Sequence, residues 1–463
     1  MKTHQHPEII QGGMGVNTSS YVLANRVSSL GQLGTLSGTI LEGVLVHELQ
    51  NGDKGGHIRR ALSTFPFPNI SESVIKKFYV EGGAPKDIPI KRVQMFNTDP
   101  PDLLISTVIC ANYAYVWLAK EGHKNPVSIN YLEKVAMPHI YAITGAMLAD
   151  VDFITMGAGI PLQIPEVMNS IFESKVAQYR IPVIGTSITS FTMTFDTQKF
   201  FGEKLNIKKI PKFIPIISSN LLATMLIQKL PPGSIYGFVV EEPTAGGHNA
   251  PPRNKLSYGE KDYVDYKKLS ELGLPFWIGG GYATPGALNR AIQIGAEGIQ
   301  VGSIFALSEE SGMNPSIRKE VRRLGFRGEL KIRTDMRISP TGFPFKVIEL
   351  PGTISEANVY ESRSRICNIG GLVSLYEKSD GKIGRRCAAE PIDKFLNKGG
   401  KIEETIGRGC LCNGLFSTAS KNSDFEPMVV TIGDDVRFLQ KLMTNENSDY
   451  NVREVISYLL GAL

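Results

Sequence analysis

The stretch PFWIGGGYATPGALNRAIQIGAEGIQVGS, residues 275–303, contains a complete strand–helix–strand unit. Its first apolar run leads into three consecutive glycines, after which Thr284 and Pro285 have the side chains preferred at the N-cap and the first position of a helix. Gly295 is placed to end that helix, and a second short apolar run follows it. The stretch therefore predicts one β/α unit of a parallel sheet.

The same alternation recurs along much of the chain. Between residues 126 and 310, short apolar runs alternate with helical patterns, and two more runs lie near the N-terminus. Continuous apolar runs are typical of strands that are buried on both faces. Eight β/α units favour a closed (β/α)8 TIM barrel over an open, doubly wound sheet. The runs are IIQGG, LGTLSG, PVSINYL, VDFITMG, KFIPIIS, IYGFVVE, PFWIGG and GIQVGS.

Two insertions interrupt the alternation, at about residues 39–101 and 177–211. A long apolar helix, LLISTVICANYAYVWLAKEGH, is predicted after the first insertion, and the Thr/Phe alternation of TSITSFTMTF predicts a hairpin in the second. After about residue 330 the alternation fades. We therefore expect a barrel domain over residues 1–330 and a smaller appended region over 331–463, whose fold the sequence does not specify.

Composition excludes several classes of protein. The 463 residues are 42% hydrophobic and 21% charged with a net charge of +5, which is typical of a globular protein. No basic run with interleaved aromatic residues indicates nucleic-acid binding, and no apolar stretch is expected to reach the roughly 20 residues of a membrane span. A strand near Glu8 leaves no room for a signal peptide, and five cysteines give no disulfide framework. These observations predict a cytoplasmic protein.

The ends of the last two strands of the predicted barrel carry glycine. Gly280 and Gly281 follow one strand, and Gly302 and Ser303 follow the next. In such barrels the corresponding loops bind phosphate through backbone N–H groups and helix N-termini, and glycine allows the phosphate to approach the backbone closely. We expect a phosphate site here. The alternative is that these glycines only form tight turns.

The segment AGGH, residues 245–248, follows a strand on the same face of the barrel. Two glycines beside His248 would leave room for a flat cofactor, although a loop histidine is often an ordinary surface residue. Asn130 is a polar residue within an otherwise apolar strand. It would either contact a ligand or cap the loop at the end of its strand.

The N-terminal stretch IIQGGMGVNTSS, residues 9–20, is similar to a dinucleotide-binding GxGxxG loop. Thr18 stands where that pattern has its third glycine, and the expected phosphate site lies much later in the chain. We therefore interpret the glycines as the first strand end of the barrel.

Four cysteines, Cys367, Cys387, Cys410 and Cys412, lie in the C-terminal region. The CLC spacing is tighter than that of a structural zinc site, which favours packed, reduced cysteines over a metal site.

These motifs carry a family resemblance. QGGMG, GAGIP, AGGH, a GGG before a helix and GAEGIQVGS occur here in the order found in the nitronate monooxygenase (2-nitropropane dioxygenase) family of FMN-binding barrels. The resemblance covers residues 8 to about 312, and PTAGGHNAPPR, SPTGFPFK and CLCNG are similar to a longer subgroup. Near relatives of that family include FMN-dependent enoyl-acyl carrier protein reductases.

The resemblance implies a set of site residues. His248 matches the family's active-site histidine, and Glu241 stands where the family often has a glutamine. An ionised Glu241 could not donate a hydrogen bond to a flavin carbonyl. The residues implied to bind FMN are Gly12, Gly13, Met14, Asn130, Gly246, Gly247, Gly280, Gly281, Gln300, Gly302 and Ser303.

The resemblance also implies the activity. The leading expectation is an FMN-dependent monooxygenase that oxidises alkyl nitronates with O2. The alternative is an enoyl-thioester reductase of fatty acid or polyketide synthesis that uses NAD(P)H, and a third interpretation is a flavin-binding protein without turnover. The expected partners are a small-molecule substrate and a second copy of the chain in a homodimer; no metal, nucleic acid or membrane partner is expected.

Overall fold

The computed structural model describes residues 6–85, 90–254, 257–421 and 426–462. The first residues, 1–5, which enter the expectation about a signal peptide, lie outside this range. The strands are β1 (Ile9–Gln11), β2 (Gly34–Ser37), β3 (Val127–Leu132), β4 (Phe153–Gly157), β5 (Ala177–Ile184), β6 (Ser190–Phe195), β7 (Lys212–Ile217), β8 (Phe238–Glu241), β9 (Phe276–Gly279), β10 (Gly298–Val301), β11 (Ile332–Asp335), β12 (Phe345–Ile348), β13 (Ser374–Glu377) and β14 (Ile383–Arg386).

The helices lie mostly between these strands. They are α1 (Tyr21–Ser29), α2 (Leu41–Gln50), α3 (His57–Leu62), α4 (Pro68–Phe78), α5 (Asp102–Lys120), α6 (His139–Leu148), α7 (Ile164–Phe172), α8 (Thr197–Phe201), α9 (Asn220–Lys229), α10 (Tyr266–Ser270), α11 (Pro285–Gln293), α12 (Ser303–Ala306), α13 (Pro315–Arg327), α14 (Ala357–Ser362), α15 (Ile392–Asn397), α16 (Ile402–Thr405), α17 (Leu411–Thr418), α18 (Leu439–Leu442) and α19 (Val452–Leu459).

Eight parallel strands form the central sheet, in the order β1-β10-β9-β8-β7-β4-β3-β2. The two end strands also meet, because the Gln11 backbone N–H donates to the Leu33 carbonyl at 2.9 Å and the Leu33 N–H donates to the Ile9 carbonyl at 3.1 Å. These bonds close the sheet. The fold is a (β/α)8 barrel with additions, as predicted, and each strand of the barrel coincides with one of the apolar runs in the sequence.

Helix α5 corrects one expectation. It has 19 residues and a mean hydropathy of 1.4 over its most apolar window, so by length and composition alone it could cross a membrane. The expectation that no stretch reaches this length is therefore wrong. In the structure 83% of that window is buried, and α5 packs against α6, α1, α2 and α3. A helix surrounded by protein needs apolar residues on every face, which explains its composition.

The region after residue 330 packs directly on the barrel. The second insertion forms the predicted hairpin, with β5 and β6 antiparallel, and β13 from the C-terminal region pairs with β5 in parallel to extend this small sheet. One buried hydrophobic cluster contains residues of both regions, including Ile40 from the barrel and Phe416 and Val429 from the C-terminal region. We propose a domain boundary near residue 330, which falls between α13 and β11.

Candidate active site

A cavity of about 240 Å³ opens at the carboxyl end of the barrel strands. Every residue that the sequence predicted for the site lies on its wall, although these residues come from loops spread over the whole barrel. They are Gly12, Gly13, Met14, Asn130, Gly246, Gly247, His248, Gly280, Gly281, Gln300, Gly302 and Ser303. The structure thus brings all of the candidate residues together at one site.

The loop after β1 lies against Asn130. A Cβ atom at Gly13 would lie 2.3 Å from the Asn130 Cβ atom, so only glycine fits at this position without a shift of the backbone. Ser19 fixes the loop, because its hydroxyl donates to the Gly12 carbonyl at 2.9 Å and accepts from the Met14 N–H at 2.9 Å. Close approach of this loop to Asn130 of β3 therefore explains Gly13, and Ser19 is a supporting residue that sequence reasoning did not identify.

Three polar side chains, Asn130, Glu241 and Gln300, line the cavity from the ends of strands β3, β8 and β10. We call these three residues the polar floor. The Asn130 Oδ1 atom accepts a hydrogen bond from the Thr155 hydroxyl at 2.9 Å, which fixes the amide and leaves its N–H groups for a ligand. In the sheet, Gly279 pairs with both Glu241 and Gln300. Since Gly279 has no side chain, nothing from β9 separates the two.

Glu241 has an unusual environment for a carboxylate. It is half-buried on the cavity wall, and its carboxyl group has no hydrogen bond or ion pair with any residue that the structure describes. Burial raises the pKa of its carboxyl to about 8. A carboxyl group without a cation nearby is neutral at pH 7 under these conditions. A protonated Glu241 would be a hydrogen-bond donor, whereas the ionised form considered from the sequence is an acceptor only.

The loops after β9 and β8 form the glycine-rich end of the cavity. Gly280 and Gly281 have φ angles of +103° and +70°, which favour glycine, and the Thr284 hydroxyl caps α11 by accepting the Ala287 N–H at 3.1 Å. The Thr244 hydroxyl faces this turn, 2.9 Å from where a Cβ of Gly280 would lie. It is buried and has no hydrogen-bond partner among the described residues. This end of the cavity thus holds an unused hydroxyl beside an exposed glycine backbone.

His248 lies on the same wall and is tied to the C-terminal region. Its Nε2 atom is 2.8 Å from the Ser339 hydroxyl, and its ring packs edge-to-face on Phe345 with 4.9 Å between the ring centroids. Burial, together with the positive charge of Lys134, lowers the pKa of His248 to about 4. The imidazole is therefore neutral at physiological pH, with one nitrogen protonated and one able to accept a hydrogen bond.

No family model and no curated protein sequence matches the chain. Solved structures with a distantly similar fold include FabK from Thermotoga maritima, at 15% identity and a TM-score of 0.48, covering 99% of this chain and 93% of that one. Another is a nitroalkane oxidase from Streptomyces ansochromogenes, at 12% identity and a TM-score of 0.45, covering 98% and 96%. The enoyl reductase domain of MlnA from Bacillus amyloliquefaciens is 12% identical with a TM-score of 0.39, covering 75% and 64%. Similarity this distant does not assign an activity.

The C-terminal region completes the cavity. The segment SPTGFPFK, residues 339–346, runs along the AGGH loop: the Lys346 N–H donates to the Gly247 carbonyl at 2.9 Å, and the Asn249 N–H donates to the Pro344 carbonyl at 3.0 Å. The Gly247 N–H donates to the Thr431 hydroxyl at 2.9 Å. No local pattern in the sequence specifies these contacts, because long-range packing creates them. The wall residues added by this region are Phe345, Leu372, Leu411, Cys412, Leu415, Thr431, Ile432, Gly433 and Asp435.

The four C-terminal cysteines form two pairs of neighbouring thiols. Cys367 raises the pKa of the neighbouring Cys387 thiol, and Cys410 raises that of Cys412. Of the four, Cys412 lines the cavity. In the described ranges of the chain, no group of three or more His, Cys, Asp or Glu side chains is arranged to hold a metal ion. The interpretation of these cysteines as packed, reduced thiols stays a prediction.

Proposed function

We propose that this protein binds FMN in the cavity and is an oxidoreductase of the nitronate monooxygenase-like family that its motifs resemble. The observation that carries the proposal is the convergence of the AGGH histidine, the polar floor and the glycine turns of several loops on one cavity. The barrel brings the ends of all its strands to one face, so the support lies in what the loops carry there: glycine turns, a histidine and polar side chains around one cavity, as in ligand sites at this face of such barrels.

The wall of the cavity fits the two ends of FMN. Gly13 keeps the wall flat beside Asn130, and the floor offers hydrogen-bond donors suited to the carbonyl oxygens and nitrogens of a flavin ring. At the other end, the Gly280–Gly281 turn and the unpartnered Thr244 hydroxyl suit a phosphate group. Gly302 and Ser303 lie on the wall of the cavity as well, so both candidate phosphate loops contribute.

His248 is the proposed catalytic residue. Bound FMN would supply the capacity to accept electrons from one substrate and deliver them to another. A neutral His248 would donate a hydrogen bond to an oxygen of the substrate, and Ser339 would hold the imidazole in one orientation. If the Ser339 hydroxyl donates to Nε2, the proton of the imidazole lies on Nδ1, which would then be the donor to the substrate.

The proposed substrate is an alkyl nitronate, with O2 as the electron acceptor. The support is electrostatic: a nitronate is a small anion, and Lys134 lies close enough to His248 to lower its pKa. The Nζ atom of Lys134 lies 3.9 Å from the centre of the Phe343 ring, and Phe343 belongs to the segment that covers the AGGH loop. A positive charge beside a neutral imidazole donor suits an anionic oxygen.

We further propose that the enzyme acts in the cytoplasm as a homodimer.

Anaerobic mixing of the FMN-loaded protein with single substrates tests this proposal. Loss of the flavin absorption on mixing with an alkyl nitronate alone is the expected result, and O2 should then restore it. Loss of absorption with NAD(P)H, and none with the nitronate, would instead identify the enoyl-thioester reductase. A protein that holds FMN but responds to neither would be a flavin-binding protein without turnover.

A further inference from the structure

Glu241 stands at the centre of the polar floor, and its carboxyl group has no partner in the part of the chain that the structure describes. Its neighbours there, Asn130 and Gln300, are neutral amides, and Gly279 between Glu241 and Gln300 contributes no side chain. The adjacent Glu242 differs, because its carboxylate accepts hydrogen bonds from the hydroxyls of Tyr266 and Tyr282. Of the two consecutive carboxyl groups, the one that lines the cavity is the one without a partner among the described residues.

Among the residues that the structure describes, the charged and titratable groups around Glu241 supply no counter-ion. Asp435, whose pKa is lowered by hydrogen bonds from Arg437, adds negative charge to the cavity wall. Burial and then the charge of Glu241 raise the pKa of Tyr258, in the loop after β8, to about 12. The other titratable groups on the wall stay neutral near pH 7, because their pKa values are raised in Tyr131, Tyr282 and Cys412 and lowered in His248.

We propose that Glu241 keeps a proton at neutral pH and donates it, as a hydrogen bond, to an acceptor atom on the ring system of bound FMN. The proposal rests on the proposed function, since it assumes that FMN is the ligand. Glu241 would then act as a positioning residue that does the work of an amide N–H while it remains protonated. The three side chains of the floor would present donors to the same flat ring.

A carboxyl donor differs from an amide donor because it can be titrated. When Glu241 ionises it loses its donor and places an uncompensated negative charge against the electron-rich atoms that it contacted. FMN affinity should therefore fall as the pH rises through the pKa of about 8. Among the groups on the cavity wall named above, Glu241 is the one that changes charge between about pH 6 and pH 9.

The test is a titration of apoprotein with FMN at pH 6 and at pH 9. Quenching of the flavin fluorescence reports the binding. Wild-type protein should bind FMN about tenfold more weakly at pH 9, where about one carboxyl in ten keeps its proton. Glu241→Gln keeps a donor that does not titrate, so it should lack this fall and show only the effect of the FMN phosphate, whose own second pKa is about 6. Glu242→Gln is the matched control and should follow the wild type. Glu241→Met, which has no donor, should bind weakly at both.

Infrared difference spectra of FMN binding give a readout that is independent of activity. At pH 6, binding should shift the carbonyl band of a protonated carboxylic acid, and Glu241→Gln should lack this band. An equal pH dependence in wild type and Glu241→Gln, or the absence of a carboxylic-acid band, would overturn the assignment while leaving FMN binding intact. No FMN binding by any of the proteins at either pH would overturn the proposed function as well.

Discussion

The Nε2 atom of His248 lies 2.8 Å from the hydroxyl oxygen of Ser339, and this contact joins the AGGH loop of the barrel to the C-terminal region. Ser339 is fully buried, and its hydroxyl oxygen also lies 2.7 Å from the Thr341 hydroxyl oxygen. The orientation of the candidate catalytic imidazole therefore depends on a segment outside the barrel. A barrel without this segment would leave the ring free to rotate.

Replacing Ser339 with alanine should lower turnover without loss of FMN. The change leaves a buried imidazole nitrogen without its partner, which costs about 1–3 kcal/mol in the free energy of unfolding, and it removes the contact that orients the ring for turnover. Steady-state kinetics should show the loss in kcat, with FMN affinity unchanged. Thr341→Ser retains the hydroxyl beside Ser339 and serves as the control. Wild-type kcat in Ser339→Ala would remove Ser339 from the account.

Replacing His248 with alanine should reduce turnover by about 10²- to 10⁴-fold, the range typical of a lost general acid–base group. FMN should remain bound, because the other cavity residues are unaffected. The pKa of about 4 also predicts the pH profile of the wild type: His248 stays neutral as the pH falls from 8 to 5, so turnover should fall only near pH 4. Full turnover by His248→Ala would exclude a catalytic role.

Two adjacent glycines of the first loop should respond differently to alanine. At Gly13 a Cβ would lie 2.3 Å from Asn130, whereas at Gly12 its nearest contact is the Gln300 side chain at 3.5 Å, an ordinary packing distance. Gly13→Ala should lower the free energy of unfolding by about 1–3 kcal/mol through overpacking, and should weaken FMN binding by displacing Asn130. Denaturant unfolding and FMN titration measure both effects. Equal stability of Gly13→Ala and Gly12→Ala would contradict the observed packing.

A buried ion pair should stabilise the C-terminal region. Arg363 and Glu426 are 5% and 1% exposed, and their Nε and Oε1 atoms lie 3.1 Å apart. Arg363→Met would leave a buried carboxylate without its cation and should cost about 3–5 kcal/mol in the free energy of unfolding.

Arg437, which is 79% exposed, forms a surface pair with Asp435 and provides the matched control. Arg437→Met should cost no more than about 1 kcal/mol. Denaturant unfolding compares the two variants. A loss in Arg363→Met as small as that in Arg437→Met would show that the buried pair contributes little.

The barrel could be predicted from the sequence because its strands are continuous apolar runs with glycine at their ends. The predicted helix over 285–294 matches α11, with Thr284 as its N-cap, because capping is a local property of the sequence. The C-terminal region could not be predicted in the same way. The contacts of Ser339, Phe345 and Thr431 with the AGGH loop join segments that are far apart in the chain, and no local pattern encodes them.

The site shows the same division between local and long-range effects. The glycine turns and the AGGH segment could be predicted as site residues from the sequence, because each directly follows a predicted strand. The protonation state of Glu241 depends on what surrounds it, so the sequence alone could state only what an ionised Glu241 would be unable to do. The apolar helix α5 is another such case, since its composition fits a membrane span and only its burial in the structure explains it as a core helix.

The central claim, that the cavity is an FMN site, is tested most directly by the absorption spectrum and flavin content of the purified protein. The account predicts a yellow protein that holds one FMN per chain, and rapid restoration of the spectrum when FMN is added to apoprotein. A colourless protein that takes up no FMN would contradict it.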